Sequence, residues 1–305
     1  MFGHLHVMSG KHQNLTDRQR RELDYHRRRA EEHKGLLSRP FSYDVVHRPA
    51  RRWENAYWQM YSYLTGQSLH GKKTLVAGCG FGDDALRLAK LGAEVYAYDL
   101  SPESLTIAKA LARREGLSVT FETMPAEDLK YENEFFDVVI MRDVLHHVDI
   151  PLALNEIVRV SKNNALILVN EVYSHSVTNH IRYSRLVEKY LYPALKQFVY
   201  GGQDVYITED ERKLTEKDIL QIKDRLQPLD LEKYFNFLVN RVLPDRFNYL
   251  NKIDRFLLIC LMQLARFLAG RILFVGRIAK HSDVVPFAPD AESFLHDSST
   301  RAAIH

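Results

Sequence analysis

The chain has 305 residues, of which 46% are hydrophobic and 27% charged, with a formal net charge of +3. That length suits one large domain with additions or two small domains, and the mild positive charge does not by itself indicate nucleic acid or an anionic membrane as a partner. The two cysteines, Cys79 and Cys260, argue against a disulfide framework and favour a reducing, cytoplasmic setting.

No targeting or membrane-spanning segment is expected. The stretch MFGHLHVMSGKHQ lacks a basic segment followed by an apolar one, so it does not predict a signal peptide. The longest apolar run, Phe256 to Ala265, is well short of the ~20 residues that a membrane-spanning helix needs. Peripheral membrane contact through residues 250–273 stays open, since a buried helix explains these residues equally well.

Residues 15–34 predict an arginine-rich N-terminal helix. Thr16 is a suitable N-cap residue for it. Several of its arginines have an acidic residue four positions away, as in the pair Asp24 and Arg28. This pattern favours a solvated, self-paired helix face over an RNA-binding arm.

From residue 73 onward, short apolar strands alternate with helices. The predicted strands cover residues 73–77, 93–99, 118–123, 135–141 and 165–170, followed by two further candidates at 231–239 and 271–279. This alternation predicts an α/β fold with a Rossmann-like, doubly wound sheet. We expect the sheet to be mostly parallel with an antiparallel last strand, and to have helices on both faces.

The stretch GCGFGDD joins the first strand to its helix. Its backbone N–H groups and the following helix N-terminus can hold a ligand, and its glycines are Gly78, Gly80 and Gly82. A dinucleotide site needs G-x-G-x-x-G, but Asp83 stands at the third glycine position, and Asp83 and Asp84 would repel a pyrophosphate. Carboxylates here suit a ligand with cationic groups and no phosphate, such as S-adenosylmethionine.

Several further motifs follow this turn in a characteristic order. The segments AGCGFG, YDLSPESL, AEDL, FDVVIMRDVLHHV and ALNEIVRV together resemble the class I S-adenosylmethionine-dependent methyltransferases, over about residues 73–171. The resemblance implies S-adenosyl-L-methionine as cofactor, with the glycine turn at its methionine end, Asp99 at its ribose and Leu100 against its adenine. It implies these cofactor-binding residues: Gly78, Cys79, Gly80, Gly82, Asp83, Asp99, Leu100, Ala126, Glu127, Asp128, Arg142 and Asp143.

Two positions depart from the family pattern. Many members have an acidic residue two places before the first glycine, where this chain has Val76. Asp83, Asp84 or Asp143 is then expected to serve the ammonium end of the cofactor. Many members also have an aspartate where this chain has Pro125, so adenine recognition is expected to rest on the residues that follow it.

The same framework divides the chain into five regions. They are an N-terminal helical arm with pocket-flanking helices (1–70), the cofactor-binding core (71–171), a helical lid or substrate insertion (172–230), C-terminal strands and a helix completing the sheet (231–281), and a loosely ordered tail (282–305). The lid is predicted because sixty residues between sheet elements exceed an ordinary connection. Its helices are expected at about 176–199 and from Thr215, with Asp218 at the capping-box position.

Histidine suits the removal of a proton from an acceptor near neutral pH. His146 and His147 follow the fourth strand, and His175 follows the fifth. These three are the candidate catalytic bases, although the adjacent pair could instead shape its loop. A metal site is not expected, because adjacent histidines lack helical ligand spacing and no cysteine cluster accompanies them.

Candidate substrate-binding residues lie on both sides of the core. They are Trp53, Tyr57, Glu171, Tyr173 and Tyr183. Trp53 and Tyr57 recur at helical spacing with Met60 and Tyr61, and core packing is the favoured alternative for that face. Packing of a lid helix is an equal alternative for Tyr173 and Tyr183.

The sequence therefore predicts methyl transfer to the oxygen or nitrogen of a small, lipophilic or aromatic acceptor, as in natural-product metabolism, and no nucleic-acid partner. Two alternatives stay open. An RNA or protein methyltransferase could use the arginine-rich helix, although the chain has MRDV where an Asn/Asp-Pro-Pro-aromatic signature would stand. A non-catalytic binding protein that kept the fold could explain Val76 and Pro125.

Overall fold

The structure is a computed structural model, and it describes residues 15–48, 55–182, 184–185, 189, 213–235 and 248–280. Trp53, Tyr183, most of the predicted lid helix and the predicted tail lie outside these described residues.

Seven strands form one sheet with the order β3-β2-β1-β4-β5-β7-β6. Their bounds are β1 Lys73–Ala77, β2 Glu94–Asp99, β3 Val119–Thr123, β4 Phe136–Arg142, β5 Ser161–Val172, β6 Leu226–Phe235 and β7 Arg271–Ile278. Strands β1 to β5 are parallel, and β7 runs antiparallel to both of its neighbours. The predicted Rossmann-like, mostly parallel sheet is confirmed.

Helices cover both faces of this sheet. In chain order they are α1 Asp17–Glu32, α2 Asp44–His47, α3 Ala56–Leu64, α4 Asp83–Lys90, α5 Pro102–Arg114, α6 Ile150–Val160, α7 Ser176–Arg182, α8 Glu216–Lys223, α9 Asn248–Cys260 and α10 Met262–Leu268. Local signals in the sequence set several of their starts. Thr16 and Thr215 each close a capping box, and Ser101 caps α5 with Pro102 at its first position.

The core lies in two layers because successive strand residues face opposite sides of the sheet. In β1, Leu75 and Ala77 pack into the layer that includes α6 and α8, while Val76 packs into the layer that includes α3, α4 and α5. Val76 is 3% exposed there. It therefore stands in the apolar interior, where an acidic side chain would lose its hydration.

Two strands differ in extent from the predicted ones. Strand β5 begins at Ser161 rather than 165, and β6 begins at Leu226 rather than 231. The added residues of β5 include Lys162 and Asn163, whose side chains interrupt the apolar pattern, yet Ser161 pairs with Phe136 of β4. Backbone pairing needs no apolar side chain, so the hydrophobic pattern underestimates strands that end in solvent.

Helix α3 supplies core packing more than a binding surface. Met60, Tyr61 and Leu64 are all fully buried, which supports core packing for most of the aromatic face. In contrast, α9 leaves several apolar side chains exposed, among them Tyr249 and Phe256. The peripheral membrane contact suggested for residues 250–273 stays a prediction.

A buried ion pair joins α4 to the end of β4. Asp84 accepts hydrogen bonds from the Tyr61 hydroxyl at 2.8 Å and from Nε of Arg142 at 2.5 Å. Burial alone would raise the pKa of Asp84, but Arg142 and Tyr61 hold it below its usual value. The carboxylate is therefore ionised at neutral pH and fixes the Arg142 side chain.

We expect Asp84→Ala to lower the free energy of unfolding by about 3 kcal/mol, because Arg142 loses its closest carboxylate in a buried position. Urea unfolding followed by circular dichroism would measure this. Asp83→Ala is the matched control: Asp83 is half exposed and 3.6 Å from Arg87, so its loss should cost less than about 1 kcal/mol. Equal losses in the two variants would contradict the assignment.

Candidate functional site

A narrow cleft of about 70 Å³ opens where β1, β2 and β4 end at their carboxyl edge. Ligands bind at this edge in open parallel sheets, at the point where the strand order reverses between β1 and β4. The lining comes from the strand ends, the following loops and α1: Gln19, Glu22, His26, Gly78, Tyr98, Asp99, Leu100, Met124, Pro125, Ala126, Glu127, Asp143, Val144, His147 and Val148.

The glycine turn is pressed between two neighbours. Gly78 has φ +58°, and a Cβ there would stand 2.5 Å from Cγ2 of Val144. Gly82 has φ +87°, and a Cβ there would stand 2.9 Å from Cβ of Ala108. Both positions require glycine, for space and for backbone conformation. Gly78 lines the cleft, while Cys79, Gly80 and Gly82 complete the turn beside it.

Asp99 has the position expected of a ribose ligand. Its carboxylate lines the cleft and accepts hydrogen bonds from the backbone N–H of Gly80 at 2.7 Å and of Ser101 at 2.9 Å. A carboxylate has about four lone-pair sites, so two are left for the hydroxyls of a ligand. The backbone contacts hold the carboxylate in place for that role.

At the predicted adenine end of the site, one of two acidic residues lines the cleft and the other does not. Leu100, Ala126 and Glu127 line the cleft, and Glu127 accepts hydrogen bonds from Nε2 of Gln19 at 3.0 Å and from the Asp149 N–H at 2.9 Å. Asp128 is exposed, pairs with Lys130 and lies outside the lining. Of the two acids, Glu127 is thus the one placed to meet a ligand.

Helix α1 closes the cleft, which the sequence did not predict. Arg27 pairs with Asp24, three residues before it, and with Glu103 of α5, while Nε of Arg28 donates to the Asp24 carbonyl at 3.3 Å. The inward side of α1 places Gln19, Glu22 and His26 in the lining. The spacing of Glu22 and His26, four residues apart on one face, is the signal that could have identified them.

Three ligand-type side chains meet at the α1 side of the cleft. Oε2 of Glu22 lies 3.1 Å from Nδ1 of His147 and 3.8 Å from Nε2 of His26. One potential ligand atom from each of the three residues lies within 4.8 Å of the others, so the group has the composition and spacing to hold a metal ion. Of these three residues only His147 was a candidate from the sequence, which did not predict a metal site.

The other histidine of the pair has a supporting position. His146 is buried, and its Nδ1 lies 2.8 Å from Oε2 of Glu171. Oε1 of Glu171 accepts hydrogen bonds from the N–H groups of Val144 and Leu145, at 2.6 and 2.7 Å. Glu171 is fully buried, so the structure assigns it to holding the loop after β4, and a direct substrate contact does not fit its position.

A second cavity, of about 430 Å³, adjoins the first at Asp143. Its lining is polar: Asn55, Ala56, Tyr57, Asp83, Arg87, Arg142, Asp143 and Arg271. Asp143 accepts hydrogen bonds from Nη1 of Arg142 at 3.1 Å and from Nη2 of Arg271 at 2.5 Å. Of the three carboxylates that could compensate for Val76, Asp84 is buried on Arg142, Asp83 lines only the second cavity, and Asp143 lines both.

The other candidates lie away from both linings. His175 stacks near Phe267 and lies 3.9 Å from Glu216. Tyr173 is 1% exposed and donates its hydroxyl to the Arg266 carbonyl at 2.8 Å, which is the packing alternative.

Burial raises the pKa of the Cys79 thiol, so this cysteine is neutral within the turn. Arg87 and Arg271, which line the second cavity, were missed because no motif contains them.

Comparison with known proteins agrees with this geometry. Residues 75–169 match a family model described as a methyltransferase domain. A ubiquinone biosynthesis O-methyltransferase of Cereibacter sphaeroides is 39% identical over 83 residues, 27% of this chain and 34% of that protein. Its namesake from Aliivibrio fischeri is 38% identical over 95 residues, 31% of this chain and 41% of that protein. The chain thus spans about two fifths or less of the length of these curated relatives.

A solved structure shows the same fold. The magnesium protoporphyrin IX methyltransferase from Synechocystis PCC 6803 with bound SAH superposes with a TM-score of 0.52 and 14% identity, over 86% of this chain and 100% of that one. The resemblance read from the sequence is confirmed for the matched part of the chain: residues 75–169 carry a methyltransferase domain, of the kind that uses S-adenosyl-L-methionine. Among the described residues, no helix combines the length and apolar character needed to cross a bilayer.

We expect Asp99→Ala to weaken binding of S-adenosylhomocysteine at least tenfold, because the ribose loses a charged acceptor and the Gly80 N–H loses its partner. Isothermal titration calorimetry measures the affinity directly. Asp128→Asn, on the same edge of the sheet but outside the lining, should bind like the unchanged protein. An unaltered affinity in Asp99→Ala would remove Asp99 from the site.

Burial lowers the pKa of His26 below its ordinary value of 6.5, against the opposite effect of the nearby Asp99 carboxylate. The unfolded chain therefore takes up the proton more readily, and stability is lost as the pH falls below about 6.5. We expect the free energy of unfolding to fall more between about pH 7.5 and about pH 5.5 in the unchanged protein than in His26→Gln. Parallel pH profiles in urea unfolding would contradict a neutral, buried His26.

Proposed function

We propose that this chain, with its class I S-adenosylmethionine-dependent methyltransferase domain, methylates a hydroxyl oxygen of a small acceptor. The observation that carries the proposal is the junction at Asp143. There the cleft with the cofactor-type lining meets a second, larger cavity, and such a pair suits one cofactor and one acceptor. The naming of the curated relatives as O-methyltransferases supports oxygen over nitrogen.

The cleft residues fit the cofactor. Gly78 brings the turn's backbone to the cleft, where a Cβ would collide with Val144. Asp99 presents free lone pairs where a ribose would lie, and the apolar Leu100 and Ala126 stand beside Glu127. Asp143 at the junction is the carboxylate we propose for the ammonium end. Ligand pockets commonly measure ~300–1,000 Å³, so we propose that the cleft widens on binding through a movement of α1, which the Gln19–Glu127 hydrogen bond holds against it.

The bound cofactor would supply an activated methyl group, which passes to the attacking acceptor oxygen while the bonding electron pair stays on sulfur. The chain's task is to hold the acceptor in line and to accept its proton. His147 is the base we propose, because it lines the cleft beside the Glu22 carboxylate, whose Oε2 lies 3.1 Å from its Nδ1. His146 and Glu171 would act as positioning residues, since they support the loop that carries His147.

The second cavity changes the expected acceptor. The sequence predicts a lipophilic or aromatic acceptor from the aromatic N-terminal helix, the long lid and the apolar segment near Phe256. Of the aromatic helix, Met60 and Tyr61 are in the core, and Tyr57 is the aromatic residue that lines the cavity among the described residues. Apart from Ala56, the remaining lining is charged or amide-bearing. We therefore propose a polar acceptor.

The proposal is tested with methyl-labelled S-adenosylmethionine and a library of small hydroxyl compounds. Stoichiometric release of S-adenosylhomocysteine, with the label on product oxygen by mass spectrometry, would support it. Cofactor binding without transfer to any library member or cell-extract component would favour the non-catalytic alternative. Label in RNA or protein would favour the macromolecular one.

We expect His147→Gln to lower kcat about a hundredfold on any acceptor hydroxyl that needs deprotonation, because the variant lacks a group that takes up the proton. His175→Gln, outside both cavities, is the matched control and should keep its kcat. Product formation at saturating cofactor gives kcat for both variants. Equal kcat values in His147→Gln and the unchanged enzyme would exclude His147 as the base.

A further inference from the structure

We propose that the second cavity selects acceptors that carry an acidic group, a carboxylate or a phosphate, which binds to Arg87, Arg142 and Arg271. This inference rests on the proposed function, because it names the acceptor class of the same site. It extends that function from a polar acceptor to an anionic one, recognised at a distance from the oxygen that is methylated.

Arg142 and Arg271 each have N–H groups that are available to a ligand. Arg142 donates from Nε to Asp84 and from Nη1 to Asp143. Arg271 donates from Nε to the Asn170 side chain at 2.7 Å and from Nη2 to Asp143. Within the described part of the chain, Nη2 of Arg142 and Nη1 of Arg271 make no hydrogen bond. A guanidinium presents five N–H donors in a planar fork that matches the oxygens of carboxylate and phosphate.

Arg87 adds a third guanidinium from α4. Its Nη1 donates to the Tyr57 hydroxyl at 2.5 Å, and its Nε donates to the Ser42 carbonyl at 3.0 Å. The carboxylate of Asp83 is 3.6 Å from the same Nη1. Nη2 of Arg87 has no hydrogen-bond partner in the described ranges.

The guanidiniums of the lining are held in fixed positions. Asp83 and Asp143 line the cavity with the three arginines, and the buried Asp84 behind them pairs with Arg142. The Tyr57 ring lies against two of the guanidiniums, with its centroid 5.1 Å from Cζ of Arg142 and 5.7 Å from Cζ of Arg87. These contacts and the ion pairs hold the guanidiniums in place, so little side-chain entropy would be lost when an anion binds.

The position of Arg271 separates an acceptor role from a cofactor role. Arg271 opens β7, and the order β1-β4-β5-β7 puts its backbone about 14 Å across the sheet from the strand that carries the glycine turn, while its guanidinium reaches Asp143 at the junction. The single carboxylate of the cofactor is expected at that turn, on the far side of Asp143. A group bound at Arg271 is therefore placed to belong to the acceptor, with its hydroxyl directed toward Asp143 and His147.

Direct binding to the full chain saturated with S-adenosylhomocysteine tests the inference without turnover. The probes are 4-hydroxyphenylacetate, 4-hydroxyphenyl phosphate and the neutral 4-hydroxyphenylacetamide, titrated by ligand-observed NMR. We expect at least one acidic probe to bind about tenfold or more tightly than the amide. The carboxylate and phosphate arms identify which anion fits better.

Arg271→Gln should remove that preference, and Arg271→Lys should keep only part of it, since lysine keeps the charge and loses the fork. Arg277→Gln on the same strand is the matched control: Arg277 pairs with Asp230 at 3.6 Å outside this cavity. S-adenosylhomocysteine affinity should change less than twofold in Arg277→Gln. In both Arg271 variants it should fall less than probe affinity does, because Arg271 also holds Asp143 beside the cofactor cleft. Thermal unfolding confirms that each variant is folded.

Three results would overturn the inference: acidic probes that bind no better than the amide, a preference that survives Arg271→Gln, or a loss of S-adenosylhomocysteine affinity in Arg271→Gln as large as the loss of probe affinity. The last result would assign the arginine to the cofactor carboxylate. Failure of the proposed function has a different signature, namely no methyl transfer to any hydroxyl compound while these binding preferences persist.

Discussion

The close contact between the glycine turn and the loop after β4 fixes the positions of His147 and Asp143 in the site. Gly78 leaves no space for a Cβ against Val144, and the buried carboxylate of Glu171 fixes Val144 and Leu145 through their N–H groups. A fully buried carboxylate without such donors would be costly, so this loop and the end of β5 hold each other in one arrangement. That arrangement places His147 in the cleft and Asp143 between the two cavities.

Helix α1 has one side exposed to solvent and another side that lines the cleft. Its arginines pair with acids on the outward side, while Leu23 and Ala30 are buried and Gln19, Glu22 and His26 close the cleft. Because the same helix carries the exposed ion pairs and the cleft contacts, its charge pattern alone could not separate an RNA-binding arm from a cover over the cofactor. The Gln19–Glu127 hydrogen bond links its position to the adenine end of the cleft.

Motif order in the sequence was enough to predict the fold, and it named Gly78, Asp99, Leu100, Ala126 and Glu127 among the residues that line the cleft proposed for the cofactor. Each parallel strand is a compact apolar run, and turn chemistry at Gly78, Asp99 and Ser101 is local, so these features can be read from neighbouring residues. The acceptor half depends on Tyr57, Arg87, Arg142 and Arg271, which come from four separate elements and meet only through the sheet order. No local pattern encodes such a meeting, and the aromatic face of α3 pointed instead to an apolar acceptor.

The substitution of Val76 for an acidic residue fits with this distribution of charge. Val76 belongs to the apolar layer beneath α3, α4 and α5, whereas the acidic function at the sheet edge is carried by residues outside that layer. Asp84 neutralises Arg142 from below, and Asp143 bridges Arg142 and Arg271 from above. Asp84 therefore pairs first with an arginine, Arg142. Through this arginine it keeps Asp143 at the junction, where one carboxylate can meet a cationic cofactor on one side and leave guanidinium donors for an anion on the other.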